Sequence, residues 1–375
     1  MAHVKLNDVP SQWNIIKEDC LPKIEKFLES GYYIGNPIIE EFEDSFSEYI
    51  GSKYAVAVSN GTDGLKLGLQ ALNLKGKVCI VIPANTFVSN ALAASYFNYD
   101  IKLIDCDDFY GMKADDLHAW FVGKRETYDD VVVVPVHLYG YPTNLERIMS
   151  LCRLFDAHLI EDCSQAHGAM IRLGKVGNFG ILSVFSCYAG KNLAAAGEGG
   201  IITTNDTEIQ QSIKTLRNVG SSTRYEHTTM GWNNRPQALQ CLILNEKLKY
   251  LDEWNSYRSY SAEAYNKKLK GLPIVLPKEP EWAAVSAFHL YVIRTSQRDD
   301  LQAFLKKRNI ETGIHYPIPI AELEIYKDAN LHHKAQVNTT KWKDELLSLP
   351  LHPFLTDYEI EFVCHVIKEF FNDNV

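Results

Sequence analysis

The chain lacks what a disulfide scaffold, a zinc module, a nucleic-acid binder or a membrane anchor requires. Its eight cysteines, at 20, 79, 106, 152, 163, 187, 241 and 364, form no C-x-x-C pair and have no clustered histidines at zinc spacing. Reduced, mostly buried thiols are therefore expected, and no metal. A basic surplus is missing too: 38 Lys+Arg against 47 Asp+Glu leave a formal net charge of -9. That balance gives no general attraction to nucleic acid or anionic lipid, so any phosphate on a ligand has to be held by local groups. The opening MAHVKLNDVPSQWNII has no apolar core of signal-peptide length, and no later run nears the ~20 residues of a membrane helix. A cytoplasmic location is expected. No internal repeat, low-complexity tract or charge block interrupts the chain.

What is present is ordinary globular material, with 46% hydrophobic and 23% charged residues. A length of 375 residues exceeds a typical single core, so two domains sharing a cleft are expected. From about Val56 to Thr204, short runs rich in Val and Ile (KVCIVIP, DIKLIDCD, DVVVVPVH, HLIEDC, ILSVFSC, GGIITTND) alternate with stretches of helical periodicity at Thr62 to Leu72, Thr86 to Tyr96 and Leu145 to Phe155. Alternation of this kind predicts an α/β domain with a mostly parallel sheet covered on both faces. After Asn234 the spacing of Leu239, Leu242, Leu244, Leu248 and Leu251 predicts one long helix over 236–269, with Pro236 in its first turn. Beyond LPIVLPKEPEW, the strand FHLYVIRT, a helix at Asp299 to Arg308 and a final helix near Asp357 to Phe371 suggest a smaller α+β unit. The expected division is residues 1–245 and 246–375, bridged by the long helix.

Three segments could carry chemistry. In SNGTDGLKLGLQAL, residues 59–72, small and polar residues precede a helical run, so the N–H groups of Gly61, Thr62 and Asp63 could seat an anion at a helix N-terminus. A plain N-cap by Asn60 or Thr62 explains the same residues. In HLIEDCSQAHG, residues 158–168, two carboxylates end a buried strand, the edge where ligands of open α/β sheets collect. Asp162 could pair there with a protonated ring nitrogen, or the acidic pair could be a helix cap or ion-pair member. In SVFSCYAGKNLAAAGEGGII, residues 183–202, Lys191 lies among small residues between two apolar strands. Burial there would favour the neutral amine that Schiff-base chemistry needs, and the Ser186 hydroxyl is near enough in sequence to meet the same ligand. An isolated lysine is otherwise a solvated surface residue.

Seven blocks, SNGTDGL, VIPANTFVSN, VPVHLYGYP, LIEDCSQAHGA, FSCYAGKNLAAAGEGGIITTND, GWNNRPQALQ and TGIHYPIP, occur in an order and spacing that resembles the DegT/DnrJ/EryC1/StrS family from about residue 30 onward. The resemblance implies a fold-type I aminotransferase-like architecture, with a seven-stranded sheet in the large domain. It also implies pyridoxal 5′-phosphate as cofactor and nucleotide-linked keto-sugars as substrates, as in deoxyamino sugar and glycan biosynthesis. By similarity, Lys191 would hold the cofactor and later carry the proton. Asp162 would pair with the pyridine nitrogen, Gln165 would approach the ring hydroxyl and Phe87 would stack on the ring. Gly61, Thr62 and Ser186 would hold the phosphate, with Asn233 reaching in from a second subunit of a homodimer that shares its active sites. Tyr188, His315 and Tyr316 would meet substrate.

The implied reaction takes an amino group from L-glutamate, releases 2-oxoglutarate and delivers the nitrogen to the sugar by ping-pong kinetics. The H-Y-P-x-P block resembles members that aminate C3, which favours a dTDP-linked 3-keto-6-deoxyhexose over C4 amination or a UDP-linked sugar. Two rivals are a sugar 3-dehydratase, which replaces the lysine with histidine, and a non-catalytic regulatory protein that binds the cofactor. Lys191 and Asp162 argue against both. The chain departs from the family pattern at Ala189-Gly190, at Pro236 and in the segment before residue 30, and the last departure bears on nucleotide contacts.

Overall fold

The computed structural model describes residues 3–327, 331 and 336–373. The β-branched runs form a seven-stranded sheet: β1 (Tyr54–Val58), β2 (Val78–Pro83), β3 (Asp100–Ile104), β4 (Asp130–Val133), β5 (His158–Asp162), β6 (Leu182–Ser186) and β7 (Gly200–Thr204), in the spatial order β1-β7-β6-β5-β4-β2-β3. Strands β3, β2, β4, β5 and β6 pair in parallel, whereas β7 runs antiparallel to both β6 and β1. The reversal follows from the connection. Residues 187–199 form a loop without a crossover helix, and a parallel return would need one.

The strands other than β3 bury most of both faces, which is why their runs read as continuous apolar stretches, whereas the edge strand β3 leaves Asp100 exposed and Lys102 partly buried. Val56, Ile80, Val132, Ile160, Val184 and Ile202 enter one core with Leu65 and Leu69 of the helix Gly61–Ala71. Their neighbours Ala57, Val81, Val133, Leu159, Phe185 and Ile201 enter the other, with Phe42, Phe46, Leu242 and Leu244. A third core gathers Tyr265, Tyr291, Ile293, Leu305, Leu346 and Ile367 with Val4 from the chain's beginning. Val4 pairs with Ile310 in a parallel bridge, so the first described residues pack with the C-terminal elements.

The helix expected over 236–269 is two helices, Ala238–Leu248 and Leu251–Lys268. The first buries Leu242, Ile243 and Leu244 beside the sheet, and the second carries Ala262 and Tyr265 into the third core. One straight helix could not present apolar residues to both. Pro236 lies outside the helix, which starts after Gln237. The helix expected from Thr86 is only Ser89–Ser95, because Thr86 and Phe87 turn toward the cleft. The strand in FHLYVIRT, Tyr291–Arg294, pairs antiparallel with Leu346–Leu349, a strand too short for periodicity to reveal. The eight cysteines are free and buried. Among the described residues, no helix is long and apolar enough to cross a membrane.

Candidate active site

Residues following the carboxyl ends of β1, β2, β5 and β6 line one cleft of about 870 Å³. Its first wall is the N-terminus of Gly61–Ala71. Asn60 is extended and its side chain accepts from the Asp63 N–H at 2.8 Å. The cap and the anion seat therefore coexist. Asp63 N–H is spent on the cap, leaving Gly61 and Thr62, both of which line the cleft, to offer theirs. The seat depends on close approach. A Cβ on Gly61 would lie 2.7 Å from Ser186 Cβ, and one on Gly200 would lie 2.5 Å from the Asn60 carbonyl carbon. Thr62 Oγ1 meets Ser89 Oγ at 2.7 Å. Behind the seat, burial would raise the Asp63 carboxyl, but Lys66 at 2.6 Å, with Ser59 and Asn60, holds it below its ordinary value. Asn234 Nδ2 also donates to Asp63, at 2.6 Å.

Strand alternation separates the acidic pair. Glu161 points away from the cleft and is fully buried, accepting from Gly177 N, Phe179 N, Gly180 N and Ser183 Oγ at 2.8–2.9 Å. Asp162 points into the cleft, where Asn90 Nδ2 donates to Oδ2 at 2.7 Å and Ser164 N to Oδ1 at 3.0 Å. One donor on each oxygen fixes the carboxylate and leaves lone pairs for a ligand. Gln165 is fixed just as firmly, accepting from Tyr139 N at 2.7 Å and donating to Tyr316 Oη at 3.0 Å.

Lys191 lies in the 187–199 loop, which is tied across by Cys187 N–H to Gly199 O at 2.8 Å and Ala189 N–H to Gly197 O at 3.0 Å. A proline at 189 would forfeit the second bond, so the departure from the family pattern suits this loop. Burial pushes the Lys191 amine down to about 8, with Asp162 and Cys187 opposing. A usable fraction is then neutral near pH 7.

The remaining wall is assembled from distant segments. Phe87 is 53% exposed and its ring centroid lies 5.7 Å from that of Tyr316. Tyr188 is exposed, while burial drives the His315 imidazole down to about 4, with Lys191 adding to the effect. His315 Nδ1 meets Ser348 Oγ at 2.8 Å. Thus Gly61, Thr62, Phe87, Asp162, Gln165, Ser186, Tyr188, Lys191, His315 and Tyr316 share one cleft. Asn233 does not: it is exposed and outside the residues lining it.

Sequence reasoning missed Ser89, Asn90, Asn7 and His289. Ser89 and Asn90 stand two and three residues after Phe87, so helical spacing past the aromatic could have found them. Asn7, whose Nδ2 donates to Gly190 O at 3.1 Å, comes from the N-terminal segment that carried no signal.

A helix N-terminus built to receive an anion, a fixed carboxylate and a partly neutral lysine in one cleft of a mostly parallel sheet suit amino-group transfer. The model of the DegT/DnrJ/EryC1/StrS aminotransferase family matches residues 14–368. The chain belongs to that family. As an aminotransferase it is similar to the dTDP-3-amino-3,6-dideoxy-alpha-D-galactopyranose transaminase of Aneurinibacillus thermoaerophilus, at 34% identity covering 92% of this chain and 94% of that one. It is also similar to the dTDP-3-amino-3,4,6-trideoxy-alpha-D-glucose transaminase of Streptomyces venezuelae, at 32% identity over 96% of this chain and 94% of that one. Among solved structures, S. venezuelae DesV in complex with a ketimine intermediate superposes with a TM-score of 0.92 at 30% identity, covering 99% of each chain.

Proposed function

We propose that this aminotransferase uses pyridoxal 5′-phosphate to move an amino group from L-glutamate to C3 of a nucleotide-linked keto-sugar, a dTDP-linked 3-keto-6-deoxyhexose. The observation that carries this is the pairing, in one cleft, of Lys191 with its amine held down to about 8 and Asp162 with a donor on each oxygen. The residues present fit the cofactor. The close approach at Gly61 and Ser186 leaves no room for a side chain on residue 61 where a phosphate would sit. The exposed face of Phe87 offers a stacking surface for a flat ring.

When bound, the cofactor supplies an aldehyde for condensation and a ring that accepts the electron pair released from a C–H bond next to nitrogen. The chain does the rest. Gly61 and Thr62 N–H groups and the Ser186 hydroxyl hold the phosphate. Asp162, kept in place by Asn90 and Ser164, keeps a proton on the ring nitrogen. The Lys191 amine takes a proton from the carbon of the amino donor and returns one to the sugar carbon in the second half-reaction. Asn233, exposed beside the half-exposed Trp232 and close in sequence to the exposed Met230, is free to complete the phosphate seat of a second copy. The active unit is then a homodimer with shared sites.

The names of the two transaminases above support C3 and a dTDP-linked sugar. The test is to incubate the enzyme and glutamate with 3-keto and 4-keto nucleotide sugars carrying dTDP or UDP and to find by mass spectrometry which product gains nitrogen. Nitrogen in the dTDP-linked 3-keto product is expected. Nitrogen only in a 4-keto product would overturn the position, and none in any sugar would overturn the substrate class.

A further inference from the structure

His289 lines the cleft, is 9% exposed and has no part in the chemistry described above. Its ring belongs to a buried chain of amides with only one possible direction. A backbone carbonyl can only accept, so Asn255 turns Nδ2 to His167 O at 2.8 Å and leaves Oδ1 to accept from Asn192 Nδ2 at 2.8 Å. Asn192 Nδ2 also faces Ala287 O at 2.8 Å, which fixes that amide independently. Its other atom, Oδ1, is therefore the one 3.0 Å from His289 Nδ1. An amide oxygen cannot donate, so Nδ1 bears the proton and Nε2 is a bare acceptor. The ring's backbone is anchored as well, since Arg258 Nη1 donates to Phe288 O and His289 O at 3.3 Å each. The groups acting on the ring from neighbouring elements, Lys191, Arg258, His315 and His167, add to its burial in keeping it uncharged.

We propose that His289 contacts the substrate, its Nε2 accepting a hydrogen bond from a hydroxyl or ammonium group of the molecule held in the cleft. An acceptor fixed in direction on a ring that lines the cleft is suited to a donor that arrives with the ligand. Asn192, adjacent to Lys191 in the chain, makes this acceptor part of the same rigid unit as the reactive amine. The proposal rests on the transaminase function given above.

The first test needs no substrate, so its failure is distinct from failure of that function. In enzyme labelled with ¹⁵N-histidine, two-bond ¹H–¹⁵N correlations should give His289, assigned by its loss in His289→Asn, as the Nδ1–H tautomer at pH 7. An Nε2–H ring or an imidazolium there overturns the proposal. Second, His289→Asn keeps an N–H for Asn192 but removes the acceptor. It should lower kcat/KM about tenfold with melting temperature and cofactor retention unchanged, and His289→Gln should recover part of the loss. A fall confined to the glutamate half-reaction identifies an ammonium donor, and one confined to the nucleotide-sugar half a hydroxyl. Unchanged kinetics in both halves overturn the proposal. Third, Asn192→Asp places a carboxylate against Nδ1, which raises the ring's pKa. Nε2 then takes up a proton as pH falls and ceases to accept. A new acidic fall in kcat/KM, missing in wild type, is expected, and an unaltered pH profile counts against the assignment even if the other variants misfold.

Discussion

The two sides of the cleft are built differently. The side formed by Gly61, Thr62 and Ser186 is made of strand ends and a helix start that are adjacent in the sheet, and its geometry is imposed by close contact: Gly61 against Ser186, Gly200 against Asn60. The opposite side collects Phe87, Tyr188, His315 and Tyr316 from three loops far apart in sequence, with Phe87 and Tyr188 exposed. The first side can hold a small invariant group because nothing in it can move without breaking the sheet. The second can vary with the ligand at Phe87 and Tyr188, exposed loop side chains, whereas Tyr316 packs against the third core.

That contrast can be broken by experiment. Lys191→Ala should cost the most, at least about 10⁴-fold in turnover, followed by nitrogen transfer to product; borohydride should no longer fix the cofactor to the peptide containing position 191. Next, Asp162→Ala should weaken both rate and cofactor retention by about 10²-fold, read by kinetics and by titration of apoenzyme with the cofactor. Gly61→Ala forces a methyl group against Ser186 and should destabilise by about 1–3 kcal/mol, with a matching loss of cofactor affinity but little change in sugar KM. An unimpaired Gly61→Ala enzyme would break the contrast outright.

Those strongest effects fall on residues that were legible in the sequence, and the reason is local. A strand end, a turn and a helix start occupy a few consecutive residues, so SNGTDGL and LIEDCSQ carry their own geometry. Strand runs were legible for the same reason, since burial on both faces leaves unbroken Val and Ile. Asn7 and His289 were not, because each reaches the cleft through tertiary packing. The break at Lys249 and Tyr250 was also hidden: leucine spacing records that a face is buried but not that the face changes core. Gly200 lay within a quoted block, yet its purpose depends on Asn60, a residue far away in the chain.

Smaller effects sharpen the contrast from the other side. Tyr188→Phe and Phe87→Ala should separate: the first raises sugar KM about threefold, while the second weakens cofactor binding about fivefold, both measurable by steady-state kinetics beside cofactor titration. The smallest effect concerns stability. Burial pushes Lys191 down to about 8 in the folded chain, below the ordinary lysine value of about 10.4. Between those values the unfolded chain binds the extra proton, so wild-type apoenzyme gains stability as pH rises through that window. Apoenzyme carrying Lys191→Met should melt higher than wild type at pH 7, and the gap should narrow toward pH 10 in thermal scans.

The one reversed strand of the sheet has a consequence for how new sequence can be tolerated. Because β7 returns beside β6, Lys191 sits on a short tether tied at both ends to the same edge, in which Ala196, Gly197 and Glu198 form an exposed run. Insertions beside Ala196, before the anchor at Gly197, would lengthen the tether without removing either cross-tie. An added residue between Cys187 and Lys191 would rotate the amine out of the cleft while leaving the sheet intact.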